Sequence, residues 1–178
     1  RGKESVTFDT RTDEGRALLL ASAKRADVLV EGFRPGVLER MGLDAETLDR
    51  ECPHLVVARI SGFGQDGPMA RRAGHDLGYL ARAGVLGLAG PADATPAVPA
   101  TQIADLAGGA LYAAFGIAAA LYRRERTGGG AVLDIAMSEG ARSLIAPAFA
   151  MTAHGQPPRR GDDMLTGALP CYGVYRTA

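Results

Sequence analysis

Asp27-Val28-Leu29-Val30-Glu31, followed at once by Gly32-Phe33-Arg34-Pro35-Gly36, decides the fold. Its apolar run does not alternate with polar residues. That predicts a strand buried on both faces, as parallel strands are. Arg34-Pro35-Gly36 then breaks the pattern and opens a short helix. Upstream, Thr12-Asp13-Glu14 reads as a capped helix start, with the helix continuing over Ala17 to Ala26. Downstream, Asp44-Ala45-Glu46-Thr47 offers a second N-cap with an acidic first turn.

Two further strands are expected, at Leu55 to Ile60 and at Ala131 to Ala136. Between them lie the glycine-rich loop Ser61 to Pro68, a helix resuming near His75, and a proline-bearing loop from Gly90 to Pro99. An apolar helix runs from Asp105 to about Arg126 and is stopped by Gly128-Gly129-Gly130. Ser138 with Glu139 is expected to start another helix. Strands alternating with helices predict an α/β domain with a mostly parallel sheet and flanking helices. Residues 1–154 are assigned to it. The stretch rich in Pro, Gly and charge from Gly155 onward makes 155–178 a linker or the start of a smaller domain.

Composition narrows the function. The 178 residues are 47% hydrophobic and 22% charged, an ordinary globular balance. Twenty basic and twenty acidic side chains cancel, so no overall field draws the chain to nucleic acid or an anionic membrane. The uncharged run Leu106 to Tyr122 is at the lower limit for a bilayer span. It is rich in Ala and Gly and bracketed by charge, and it is read as a buried core helix. Cys52 and Cys171 are expected to be reduced thiols in a cytoplasmic protein. The polar start Arg1-Gly2-Lys3-Glu4-Ser5 is not expected to be a signal peptide. His54 and His154 have no partners at metal spacing, so no metal is expected. The glycines of Ser61 to Pro68 are not a GxGxxG followed directly by a helix and not a Walker loop, so they do not mark a nucleotide fingerprint, and no serine sits in a GxSxG elbow.

Three groups can carry chemistry. Gly74-His75-Asp76 puts an imidazole, which titrates near neutrality, at a helix start whose backbone N–H groups can hold an oxyanion. Plain capping by Asp76 is the alternative. Asp105 opens the apolar helix among Ile103, Ala104, Leu106 and Ala107. It is either a cap or a desolvated base, with Gly108 and Gly109 allowing close approach. Lys3, Arg34 and Arg40 form a basic set around a strand end, where open α/β sheets bind ligands. They are either phosphate-binding or solvated surface charges.

Six segments in order resemble the family III CoA-transferases, a group that also includes α-methylacyl-CoA racemases. They are Arg1-Gly2-Lys3, Ala26 to Val37, Ala58 to Pro68, Ala73-Gly74-His75-Asp76, Ile103 to Gly109, and Arg126 to Gly130. The resemblance implies a nucleotide-binding-like large domain in an interlocked homodimer. It also implies a chain lacking both ends, with a further catalytic Glu beyond residue 178. Asp105 falls on the shared catalytic aspartate. In transferases that residue is acylated; in racemases it is an acid/base group paired with a His such as His75. By the same resemblance Arg34 and Arg40 approach the CoA nucleotide, while Gly62 and Gly64 lie along it. CoA enters only as part of the substrate. Met164 to Pro170 resembles a racemase segment but departs from it at Thr166 and Ala168-Leu169. Racemisation at the α-carbon of a 2-methylacyl-CoA is the first expectation. CoA transfer and a non-catalytic CoA-binding fragment are the alternatives.

Overall fold

The computed structural model describes residues 2–177; Arg1 of the Arg1-Gly2-Lys3 motif and Ala178 lie outside them. Three parallel strands, β1 (Val28–Glu31), β2 (Val56–Ser61) and β3 (Ala131–Ala136), form a sheet in the order β1-β2-β3. The first connection carries α2 (Val37–Arg40) and α3 (Ala45–Glu51). The second carries α4 (Asp76–Ala83), α5 (Val85–Leu88), a π-helix (Ala104–Leu111) and α6 (Tyr112–Thr127). Helix α1 (Asp13–Ala23) precedes the sheet, and α7 (Met137–Ser143) and α8 (Ala146–Ala153) follow it.

The local signals act as expected at several ends. The Thr12 side chain accepts from the Gly15 N–H and starts α1, and Asp44 does the same for Thr47 in α3. Gly128, at φ 79°, ends α6 in the left-handed region, from which the chain enters β3. One apolar cluster, with Ala23, Leu38, Leu43, Leu48, Leu55 and Val57, packs the first helices onto one face of the sheet. Another, with Ala58, Ala113 and Ile135, sets α6 on the opposite face. Each fully buried Leu or Val in these clusters contributes about 1.5–3 kcal/mol.

Four details differ from expectation. Strand β2 is covered on both faces, but β1 is not: Val30 is 55% exposed. The reason is that α6 lies over β2 and β3, and β1 borders the described sheet. The apolar helix is buried along one stripe only. Phe115 is 78% exposed, and only 28% of the most apolar window of Ala104–Thr127 is buried. This is the one helix among the described residues long and apolar enough to cross a membrane. Its first two turns are π rather than α. Ser138 does not cap α7, because β3 runs into the helix directly at Met137.

The segment from Gly155 onward is made of turns. Arg160 ties it back by donating from Nε to the Pro91 carbonyl, 2.9 Å away. A cavity of about 890 Å³ lies between this segment and residues 88–92. Both cysteines are free thiols, Cys52 buried and Cys171 exposed.

Candidate functional site

All three strands deliver their carboxyl ends to the same side of the sheet, and the candidate residues gather there. The chain leaves β1 through the turn carrying Arg34, leaves β2 through the glycine-rich loop into α4, and leaves β3 straight into α7. A separate apolar cluster joins these exits: Tyr79, Leu80 and Ala83 of α4, Ala104 of the π-helix and Ala141 of α7.

The π-helix is held close to α7 by glycines. A Cβ on Gly108 would lie 2.6 Å from the Met137 carbonyl oxygen, and one on Gly140 would lie 2.0 Å from the Gly108 carbonyl oxygen. No side chain fits between the two backbones. Stretches of π-helix are rare and concentrate at functional sites. This one carries Asp105 in its first turn.

His75, Asp76 and Asp105 are brought together. His75 is the N-cap residue of α4, is exposed, and makes no side-chain capping bond. Its imidazole is therefore not engaged in holding the helix. The Asp76 carboxylate Oδ1 accepts from the backbone N–H of Asp105 at 2.9 Å. That bond joins the start of α4 to the start of the π-helix. The Asp105 oxygen Oδ1 is buried without a hydrogen-bond partner. Such an orphan costs about 1–3 kcal/mol, and exceptions of this kind call for an explanation. Burial pushes the Asp105 carboxyl above the usual aspartate range. The neighbouring Asp76 charge pushes it further, and His75 opposes the shift. A carboxyl raised in this way beside an imidazole can take up and release a proton under mild conditions.

Tyr79 escaped the sequence reading. Its ring is buried and meets Phe63 edge-on, with centroids 5.1 Å apart. Burial raises its phenol pKa; the Asp105 charge adds to the rise and Arg34 opposes it. The only signal in the sequence is its place one helical turn after His75, on the face shared with Leu80 and Ala83. Gly62 and Gly74 form the slot for this ring: a Cβ on either would stand 2.4 or 2.5 Å from Tyr79 Cε1. Gly62→Ala should therefore push Tyr79 out of place and destabilise the fold by about 1–3 kcal/mol in chemical denaturation. Gly64, at φ 83°, turns the loop so that the Gln65 N–H reaches Asp134 Oδ2 at 2.9 Å.

Arg34 stands exposed in the β1–α2 turn and Arg40 at the C-terminal end of α2, with Arg40 Nη1 lying over Gly36. Lys3 is exposed in the irregular stretch before α1. Among the described residues, no three His, Cys, Asp or Glu side chains are grouped to hold a metal ion.

Comparison with known proteins gives the chain its family. Human α-methylacyl-CoA racemase is 45% identical over all of this chain, which matches 47% of the human protein's length. Acetyl-CoA:oxalate CoA-transferase of Acetobacter aceti is 41% identical over 90% of the chain, matching 41% of that protein. The chain thus spans about half the length of the curated relatives it matches. A CaiB/BaiF family protein from Brucella suis superposes with a TM-score of 0.83 at 38% identity, covering 90% of this chain and 42% of that one. The sequence model of CoA-transferase family III matches residues 1–178, and the chain belongs to that family.

Proposed function

We propose that this chain supplies two acid/base groups of an enzyme that inverts the α-carbon of a 2-methylacyl-CoA, or a close relative, through an enolate. The observation that carries this reading is the uncommitted His75 imidazole beside a carboxyl, Asp105, that is partly desolvated and has an unpartnered oxygen. Inversion needs a proton removed from one face and returned on the other. His75 serves one face and Asp105 the second. The Asp76 N–H at the start of α4 holds the enolate oxygen, and a donor so placed contributes about 3–4 kcal/mol in related chemistry. The Asp76 carboxylate sets the position of Asp105 through its backbone bond. Arg34 and Arg40 take the phosphates of the CoA nucleotide, with Lys3, Gly62 and Gly64 nearer its length. CoA is a part of the substrate. The protein acts as a homodimer, and the exposed apolar flank of α6 supports this.

A second reading has a specific support: several relatives are CoA-transferases, among them the Acetobacter enzyme. There Asp105 would attack the thioester as a nucleophile and become acylated. The two readings separate on one experiment with the full polypeptide: a single enantiomer of 2-methylacyl-CoA in deuterated water, with no second acid. Racemisation gives α-deuterium and loss of optical purity. Transfer gives no exchange, and a new thioester only when a free acid is added. In His75→Ala, exchange should fall by about 10²–10⁴-fold; near-normal exchange removes His75 from the mechanism.

A further inference from the structure

Below Arg34 and Arg40 lies a partly buried ionic cluster that the proton chemistry does not use. Glu31, the last residue of β1, is 5% exposed. Arg59 stands directly opposite it in the β1–β2 register, and Arg59 Nε donates to Glu31 Oε1 at 2.7 Å. The other Glu31 oxygen, Oε2, accepts from the Phe33 N–H at 2.7 Å, which fixes the chain as it leaves the strand. Arg59 Nη1 reaches Glu39 Oε1 at 2.9 Å, on α2 and next to Arg40. One guanidinium therefore ties together the strand end, the turn and the helix.

Stability alone is a weak reason for such a cluster. Desolvating Glu31 and Arg59 is costly, and well-packed apolar side chains of similar volume often do as well or better. Arg59 Nη2 and Glu39 Oε2 are in addition buried without partners. What the cluster supplies is geometry. It fixes Phe33 and Glu39, the chain neighbours of the exposed Arg34 and Arg40. A planar fork suits this task, because its donors point in fixed directions.

We propose that Arg59 is a positioning residue for the nucleotide end of the substrate: bridging Glu31 and Glu39 from inside, it sets the spacing of Arg34 and Arg40 so that the two grip separate phosphate groups of one CoA. This rests on the reading of Arg34 and Arg40 given above. Arg59 does not touch the substrate.

The test uses the full polypeptide and two substrates, the acyl-CoA and the same acyl group on pantetheine, which lacks the phosphorylated nucleotide. Arg59→Lys keeps the charge and loses the fork. Glu39→Ala cuts only the link to α2. In both, KM for the acyl-CoA should rise about tenfold, with kcat and all parameters for the acyl-pantetheine within twofold of the parent. Equal losses on both substrates, or collapse of the fold in both variants, would assign the cluster to stability and overturn the proposal. Arg34→Ala and Arg40→Ala separate this failure from failure of its premise. If they too leave the preference for acyl-CoA over acyl-pantetheine unchanged, the arginines do not hold the phosphates, and both ideas fall. If they abolish that preference while Arg59→Lys and Glu39→Ala do not, only the role of Arg59 is lost.

Discussion

Asp105→Asn should lower α-proton exchange by about 10²–10⁴-fold and, at neutral pH, make the folded protein more stable. The two effects share one cause. Asp105 is partly buried beside Asp76, and one of its oxygens has no partner, so folding disfavours its charged form. Its pKa in the folded state therefore lies above that in the unfolded chain. For a group shifted in this direction, the stability associated with the protonated form is fully present below the unfolded pKa and is lost as pH rises through the folded pKa. At neutral pH the native protein bears that loss; an amide, which has no charge to desolvate, does not. Denaturation midpoints should thus favour the Asn variant at neutral pH, with the difference shrinking as pH falls toward the ordinary aspartate range. In the parent enzyme, exchange should fail on the acid side at a higher pH than an unperturbed aspartate would give. An Asn variant less stable than the parent at neutral pH would contradict the desolvation argument. A site that gains stability when its working group is neutralised shows the familiar conflict between activity and stability.

Gly140→Ala should be the most damaging of the small substitutions. The new methyl group would sit 2.0 Å from the Gly108 carbonyl oxygen and 2.6 Å from its carbonyl carbon. Both are backbone atoms, so no side-chain rotation relieves the clash. Helix α7 and the π-helix must separate, and Ala104 and Ala141, now fully buried between them, become exposed. A loss of about 3 kcal/mol is expected in denaturant unfolding. Exchange activity should fall too, because Asp105 moves with the π-helix. Gly87→Ala is the matched control: a Cβ there meets nothing within 4 Å, and the change should be neutral or slightly stabilising.

Much of the framework was legible because it depends on short-range rules. Thr12 and Asp44 cap helices with their own side chains, Gly128 supplies a positive φ, and β2 announces itself by the apolar run Leu55-Val56-Val57-Ala58. Helix starts singled out His75, Asp76 and Asp105 one by one, but only the family resemblance paired them; the bond from the Asp105 amide to Asp76 spans 29 residues and has no local signature. The π-helix was invisible because apolar spacing does not distinguish i+4 from i+5 hydrogen bonding, and the glycines that press it against α7 sit on two separate segments. Arg59 looked like an ordinary strand residue until the β1–β2 register set it opposite Glu31. Nothing local announced that the ring of Tyr79 packs against Gly62. The outer face of α6 misled for the opposite reason: composition reports how apolar a helix is, not how much of its circumference finds a neighbour.

The hydrogen bond between Asp76 and the Asp105 amide has a mechanical consequence. It couples the bases of two different helices, so that any tilt of α4 drags the beginning of the π-helix with it. On the proposed reading, His75 and Asp105 then move together as one jaw rather than as independent fingers. A bulkier acyl chain would be admitted by the loops around that jaw, not by displacing one of the two alone.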